Sequence, residues 1–275
     1  MIIDGRGTAV LSMSESSTAG TYSSSSRPGS QNNDATRWVP FPATRWTRVR
    51  QCAAGDDSEA AQRALESLCR DYWLPLYAFA RHAGNNREDS QDLVQGFFAK
   101  AIDDGLFGKA DPAAGRLRTF LLTSFKFFQG SEYKKSKAIK RGGGWDRVNW
   151  EEADKLVSNS VGQGMSPEEE FDRQWALRML NKALTIMERQ YQATDRGAMF
   201  RELRPFLNPN EPGEAEIARL AASQSITQDA ARQAVHRARE RFRSTLRQLI
   251  GDTLESPAEE DVDIEVEALR RALLG

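Results

Sequence analysis

Histidine and cysteine are nearly missing from this chain of 275 residues, which holds only His82, His236, Cys52 and Cys69. Two histidines are too few for a histidine-based metal site, and two cysteines supply neither a disulfide scaffold nor the spacing of a zinc site. Both thiols are expected to be free, as suits a reducing compartment. No apolar run approaches the roughly 18 residues of a membrane span, and the Ser-rich N-terminus lacks the basic start and apolar core of a signal peptide. A cytoplasmic protein with no membrane partner is therefore expected. Alternation of apolar and polar residues is absent too, as are internal repeats, so helices are the regular structure that the pattern supports. An excess of one charge is also lacking, because 38 Lys and Arg oppose 39 Asp and Glu for a net charge of -1. A protein that coats nucleic acid unaided would be more basic. Any basic surface must be local, with acidic stretches such as 255–267 to offset it.

What is present, 39% hydrophobic and 28% charged residues, describes modest cores under much charged surface. The expected fold class is all-α, with two small helical domains joined by a flexible linker. Residues 1–36, rich in serine and poor in large apolar side chains, do not offset the entropy of ordering and are expected to be a disordered tail. The first domain spans 37–145. Within it, Ser58 caps a helix carrying Ala61, Leu65, Leu68 and Tyr72, which ends at Trp73 and Pro75. A second helix covers Leu76 to His82. A turn at 84–86 leads into a third, with Leu93, Val94, Phe97, Phe98 and Ala101 inward. Residues 146–166, polar and Gly-bearing, read as the linker.

The most informative segment runs from Arg116 to Gly144. Leu117, Leu121, Phe125 and Phe128 recur at three- and four-residue intervals and define a buried stripe. Lys126, Phe127, Tyr133, Lys134 and Lys137 fall largely off it, and Lys135, Lys140 and Arg141 complete a basic run without an acid. Unpaired nucleic acid offers charged phosphates and flat bases, and this face offers a cation or an aromatic ring to each. The alternative is a solvated face with ordinary rim aromatics. Gly130 falls inside the same helix, where it costs about 1 kcal/mol relative to alanine.

The second domain, 167–251, opens with a strong helix start: Ser166 as cap, Pro167 in the first turn, then Glu168, Glu169 and Glu170. Phe171, Trp175, Leu180, Leu184, Met187 and Tyr191 mark the inward face of the helix that follows. A short helix through Met199, Phe200, Leu203 and Phe206 precedes the loop at 208–213. From Glu214 the pattern is helix, short turn, longer helix, the spacing of a helix-turn-helix. Leu220 lies on the first helix and Ile226 in the turn, Thr227 caps the second helix, and Ala231, Val235, Ala238 and Phe242 face inward. The opposite face carries Gln228, Arg232, Gln233 and His236, suited to base edges, because glutamine pairs with adenine and arginine with guanine. Arg237, Arg239, Arg241 and Arg243 follow, suited to phosphates or to acids of the same fold. The extension 252–275 begins acidic and then places Ile264, Val266, Leu269 and Leu273 at helical intervals. It either restrains the basic surfaces or completes the packing of the second domain.

Taken in order, REDSQDLVQGFF (87–98), GRLRTFLLTSFKFF (115–128), KRGGG (140–144) and AVHRARERFR (234–243) resemble bacterial RNA polymerase sigma factors of the extracytoplasmic-function type, in a subgroup with a C-terminal extension. The resemblance begins near Thr44 and covers regions 2 and 4 of that family. It implies that Asp89, Asp92 and Gln95 dock on core RNA polymerase. It also implies that Lys126, Phe127, Tyr133, Lys134 and Lys135 capture a melted promoter strand, and that the helix-turn-helix reads promoter DNA. An anti-sigma or other regulatory protein is a further partner that the resemblance leaves open. Gln224 and Ser225 depart from the family, which usually has leucine and glycine there. No catalytic residue and no cofactor is expected, since Glu88, Asp89 and Asp92 sit at a helix start where acids are favoured anyway. A DNA-binding regulator that never joins polymerase and a helical protein-interaction module are the alternatives.

Overall fold

The computed structural model describes residues 59–109, 116–135, 150–158, 161, 164–208, 212–254 and 258–274. The described residues are all helical, without a strand: α1 (Glu59–His82), α2 (Arg87–Asp103), α3 (Leu117–Lys135), α4 (Trp150–Ser158), α5 (Pro167–Gln192), α6 (Gly197–Leu203), α7 (Glu214–Ser223), α8 (Gln228–Gly251) and α9 (Glu259–Leu274), with short 3-10 turns at Leu106–Lys109 and Arg204–Leu207. The all-α expectation holds. The tail 1–36, Ser58 and Cys52 lie outside the described residues, whereas Cys69 is a free, buried thiol, pushed up to about 12 by burial.

Helix α5 is the spine. Its first residues are held by a reciprocal cap, in which Glu169 N donates to Ser166 Oγ at 3.2 Å and Ser166 N donates to Glu169 Oε2 at 2.7 Å. Along its first half, Phe171, Trp175, Ala176, Met179 and Ala183 enter one apolar cluster with Leu76 and Tyr77 of α1, Phe97 and Phe98 of α2, Leu121 and Phe125 of α3, Ala153 and Val157 of α4, and Val262, Leu269 and Leu273 of α9. Along its last turns, Met187 and Tyr191 enter a second cluster with Phe200, Leu203, Ile217, Leu220, Ala231, Val235 and Ala238. Helix α8 is shared in the same way, since Leu246, Leu249 and Ile250 return to the first cluster. Two long helices therefore thread both cores.

Three local expectations differ from the structure. The break at Trp73 and Pro75 is absent: α1 runs on through Pro75, because Leu76, Tyr77, Ala78 and Ala80 are wholly buried and their packing outweighs the missing hydrogen bond of one proline. The linker 146–166 includes α4. Trp150 of α4 lies 5.3 Å from Trp73 and 5.4 Å from Tyr77, centroid to centroid. Asp154 accepts from Tyr77 Oη at 2.6 Å and Arg81 Nε at 3.0 Å. Finally, the inward face of α5 rotates, so that Leu180 and Leu184 are half-buried while Met179 and Ala183 are buried.

Helix α3 continues through Gly130 to Lys135, and a Cβ at Gly130 would meet nothing within 4 Å. Gly130→Ala should therefore stabilise the protein by about 1 kcal/mol through helix propensity alone. Thermal unfolding would show this as a rise of about 2–4 °C, and a fall instead would mean that the glycine is needed for a bend.

Candidate nucleic-acid interface

Three groups of site residues lie on three parts of the fold. On α3, Leu117, Leu121 and Phe125 are buried, as their spacing implies. The same packing turns Phe127 outward, 77% exposed, and Tyr133, 56% exposed. Phe127 stands at the rim of a groove of about 340 Å³ between α2 and α3, lined also by Phe97, Ala101, Leu106, Phe128 and the Lys100–Asp104 ion pair. Tyr133 is held in place by a hydrogen bond from its hydroxyl to Asn85 Oδ1. Asn85, itself buried, donates to Ala80 O at 2.7 Å, so the ring is tied to the turn between α1 and α2. Two aromatic faces are thus presented to solvent from a rigid helix, one with its orientation set by a buried amide.

Lys126 is placed differently from the free cation that the sequence implies. Its Nζ pairs with Glu168 at the start of α5 and sits 5.5 Å over the Phe79 ring. The lysine's hydrogen bond holds the Glu168 carboxyl below the usual carboxylate range. This pairing persists at neutral pH and disappears only as pH falls through that lowered range. Lys134 and Lys135 end α3, while Lys137, Lys140 and Arg141 lie outside the described residues.

At the start of α3, Arg118 Nε donates to Glu265 Oε2 at 3.0 Å, its other arm meets Asp172, and its guanidinium lies 5.0 Å from the Trp175 ring centroid. Arg116 also pairs with Glu265. Glu265 belongs to α9 and is 1% exposed. Nothing in the sequence signals this contact, because the partners lie on opposite sides of the whole second half of the chain.

Helices α7 and α8 meet through the 224–227 turn. Thr227 Oγ1 accepts from Ala230 N at 3.2 Å, as expected of a cap. Ser225 has φ +52, and Ile226 N reaches back to Ala221 O at 3.0 Å. Ser225 is thus a left-handed non-glycine residue, and only glycine adopts that conformation without cost. Gln228, Gln233, His236 and Arg237 are exposed on the outer face of α8. Arg232 is also exposed but pairs with Glu214 and, at 3.5 Å, with Asp229. Arg239 is not part of that face: its Nε donates to Phe206 O at 2.7 Å and ties α8 to the 3-10 turn.

On α2, Asp89 and Asp92 are exposed and Gln95 is half-buried. Asp89 has a structural task as well, since Asn86 Nδ2 donates to its carboxylate at 2.8 Å and Asp89 N donates to Asn86 Oδ1 at 2.8 Å. His82 faces its own helix, with Nδ1 3.1 Å from Ala78 O. No helix among the described residues is long and apolar enough to cross a membrane.

No family model, no curated protein and no solved structure matches this chain.

Proposed function

We propose that this chain is a promoter-specificity factor of the sigma type, which joins core RNA polymerase, reads promoter DNA and captures one melted strand while the polymerase does the chemistry. The observation that carries the reading is Phe127. A phenylalanine 77% exposed on the helix whose Phe125 is wholly buried contributes little to packing, and beside the half-exposed Tyr133 and a basic run in the sequence it offers a stacking platform. The turn of α7 and α8 supports the same reading, because its left-handed Ser225 gives the pair the sharp reversal of a helix-turn-helix. The two-part layout is then a strand-holding part built on α1–α3 and a duplex-reading part built on α6–α8. Asp89, Asp92 and Gln95 on α2 are the proposed polymerase contacts, and the protein works in the cytoplasm.

In vitro transcription with purified core polymerase on a genomic library tests this directly. Reproducible start sites that depend on the chain support it, and failure to bind core polymerase leaves instead a DNA-binding regulator that uses α7 and α8 alone. Within the proposal, Lys134→Ala combined with Lys135→Ala should impair strand opening by roughly ten-fold while duplex binding changes little, since strand capture relies on local cations. Equal losses in a fluorescent-base opening assay and a duplex-binding assay would count against that division.

A further inference from the structure

Most arginines of the described residues meet a carboxylate. Arg63, Arg70, Arg81, Arg118, Arg232 and Arg247 are examples. Arg196 and Arg241 do not, and the fold brings them together. The Cζ of each lies 5.7 Å from the centroid of the same ring, Tyr191. Tyr191 is 7% exposed, packed 5.3 Å from Phe200 in the second cluster, so it is a fixed support. Arg196 reaches it because the chain leaves α5 through Asp195 at φ +54 and then closes with Arg196 N donating to Tyr191 O at 2.8 Å. Arg241 reaches it from α8. Its sequence neighbour Glu240 is committed to Arg243 at 2.8 Å.

Two exposed guanidiniums near one ring add their positive charge there, and neither forms an ion pair with a carboxylate among the described residues that would offset it. A ligand with two or more negative charges would. A guanidinium packed on an aromatic face keeps its N–H fork for an outside acceptor, and the fork matches phosphate oxygens in geometry. The position also has a direction. Gln233, Arg237 and Arg241 recur at four-residue intervals, so they share one edge of α8, and Arg237 already touches Gln233 at 3.5 Å. This edge runs from the exposed first turns of α8 toward Tyr191.

We propose that Arg196 and Arg241, supported by Tyr191, form a clamp for adjacent phosphates of duplex DNA, placed beyond the base-reading end of α8. The clamp rests on reading α7 and α8 as a duplex-reading element, but not on polymerase binding. It adds a grip from the end of α5, a segment outside the helix-turn-helix, and so sets the angle at which α8 enters the groove.

The test uses the full chain, a short labelled DNA duplex of arbitrary sequence and a salt titration. Arg196→Gln with Arg241→Gln should lower the slope of log K against log salt by about 1.8, close to 0.9 for each phosphate that is no longer neutralised. Arg63→Gln with Arg70→Gln, at exposed sites on α1, should leave the slope unchanged. Circular dichroism melting checks that the variants fold alike. An unchanged slope in the first variant, or no duplex binding by the wild-type chain at the lowest salt, overturns the clamp. Transcription with core polymerase is scored separately on the same preparations: a lowered slope without transcription removes the sigma reading and keeps the clamp, while transcription with an unchanged slope does the reverse.

Discussion

Replacing Glu265 with alanine should cost about 3 kcal/mol of unfolding free energy, although the residue stands near the end of the chain. Its carboxylate is 1% exposed, bonded to Arg118 Nε at 3.0 Å and paired with Arg116. Arg118 is 12% exposed at its side chain. Removing the acid leaves that guanidinium in a low-dielectric setting with Asp172 as its remaining carboxylate. Breaking a buried pair costs about 3–5 kcal/mol, and the Asp172 pairing puts this case at the lower end. Asp263→Ala is the matched control. Asp263 is on the same helix and pairs with Arg247, but its side chain is 60% exposed, so the loss should stay below about 1 kcal/mol. Urea titration of the three proteins gives the comparison. Similar midpoints for both variants would show that the α9 carboxylate is not buried in solution.

The same ion pair bears on the two roles open to the extension. Val262, Leu269 and Leu273 of α9 are buried in the cluster built on α1–α3 and the first half of α5. Helix α9 is therefore part of the packing, and it completes the core of the first half of the chain, not a separate second domain. Truncation after Gly251 would uncover that core as well as Arg116 and Arg118. A single substitution at Glu265 is the cleaner probe, because it releases Arg116, leaves Arg118 with Asp172 alone and keeps the apolar packing in place.

Phe127→Ala should weaken capture of an unpaired strand by about 1–3 kcal/mol, roughly a 5- to 150-fold loss, the range typical of one base stacked on one ring. Stability should change by less than about 0.5 kcal/mol, because a side chain 77% exposed gives up little packing. Such a separation is unusual for a phenylalanine and follows only from its outward direction. Phe125→Ala on the same helix is the contrast: wholly buried and 5.3 Å from Phe97 in an edge-on arrangement, it should lose about 3–5 kcal/mol of stability. Promoter opening followed with a fluorescent base, beside thermal melts of each protein, distinguishes the two. Normal opening by the Phe127 variant in the presence of core polymerase would remove the main support for strand capture.

The periodic parts of the sequence determined the helices and their faces. Apolar spacing on α2 and α3 places Phe97, Phe98, Leu121 and Phe125 inside and Phe127 and Tyr133 outside. The caps at Ser166 and Thr227 are local chemistry between residues three apart, so they are legible before any fold is known. Pro75 was misleading for the opposite reason: its effect on α1 is decided by the burial of the residues after it, which no local rule contains. Tertiary structure alone decided which core receives each apolar face, and so passed α5 and α8 through both clusters. It alone paired Lys126 with Glu168, turned Arg239 onto Phe206 O, and brought Arg196 and Arg241 to one ring. A hydrophobic period specifies that a face is buried but not against what, and charged side chains find partners by distance in space. Sequence separation carries no information about that distance once the chain has reversed direction several times.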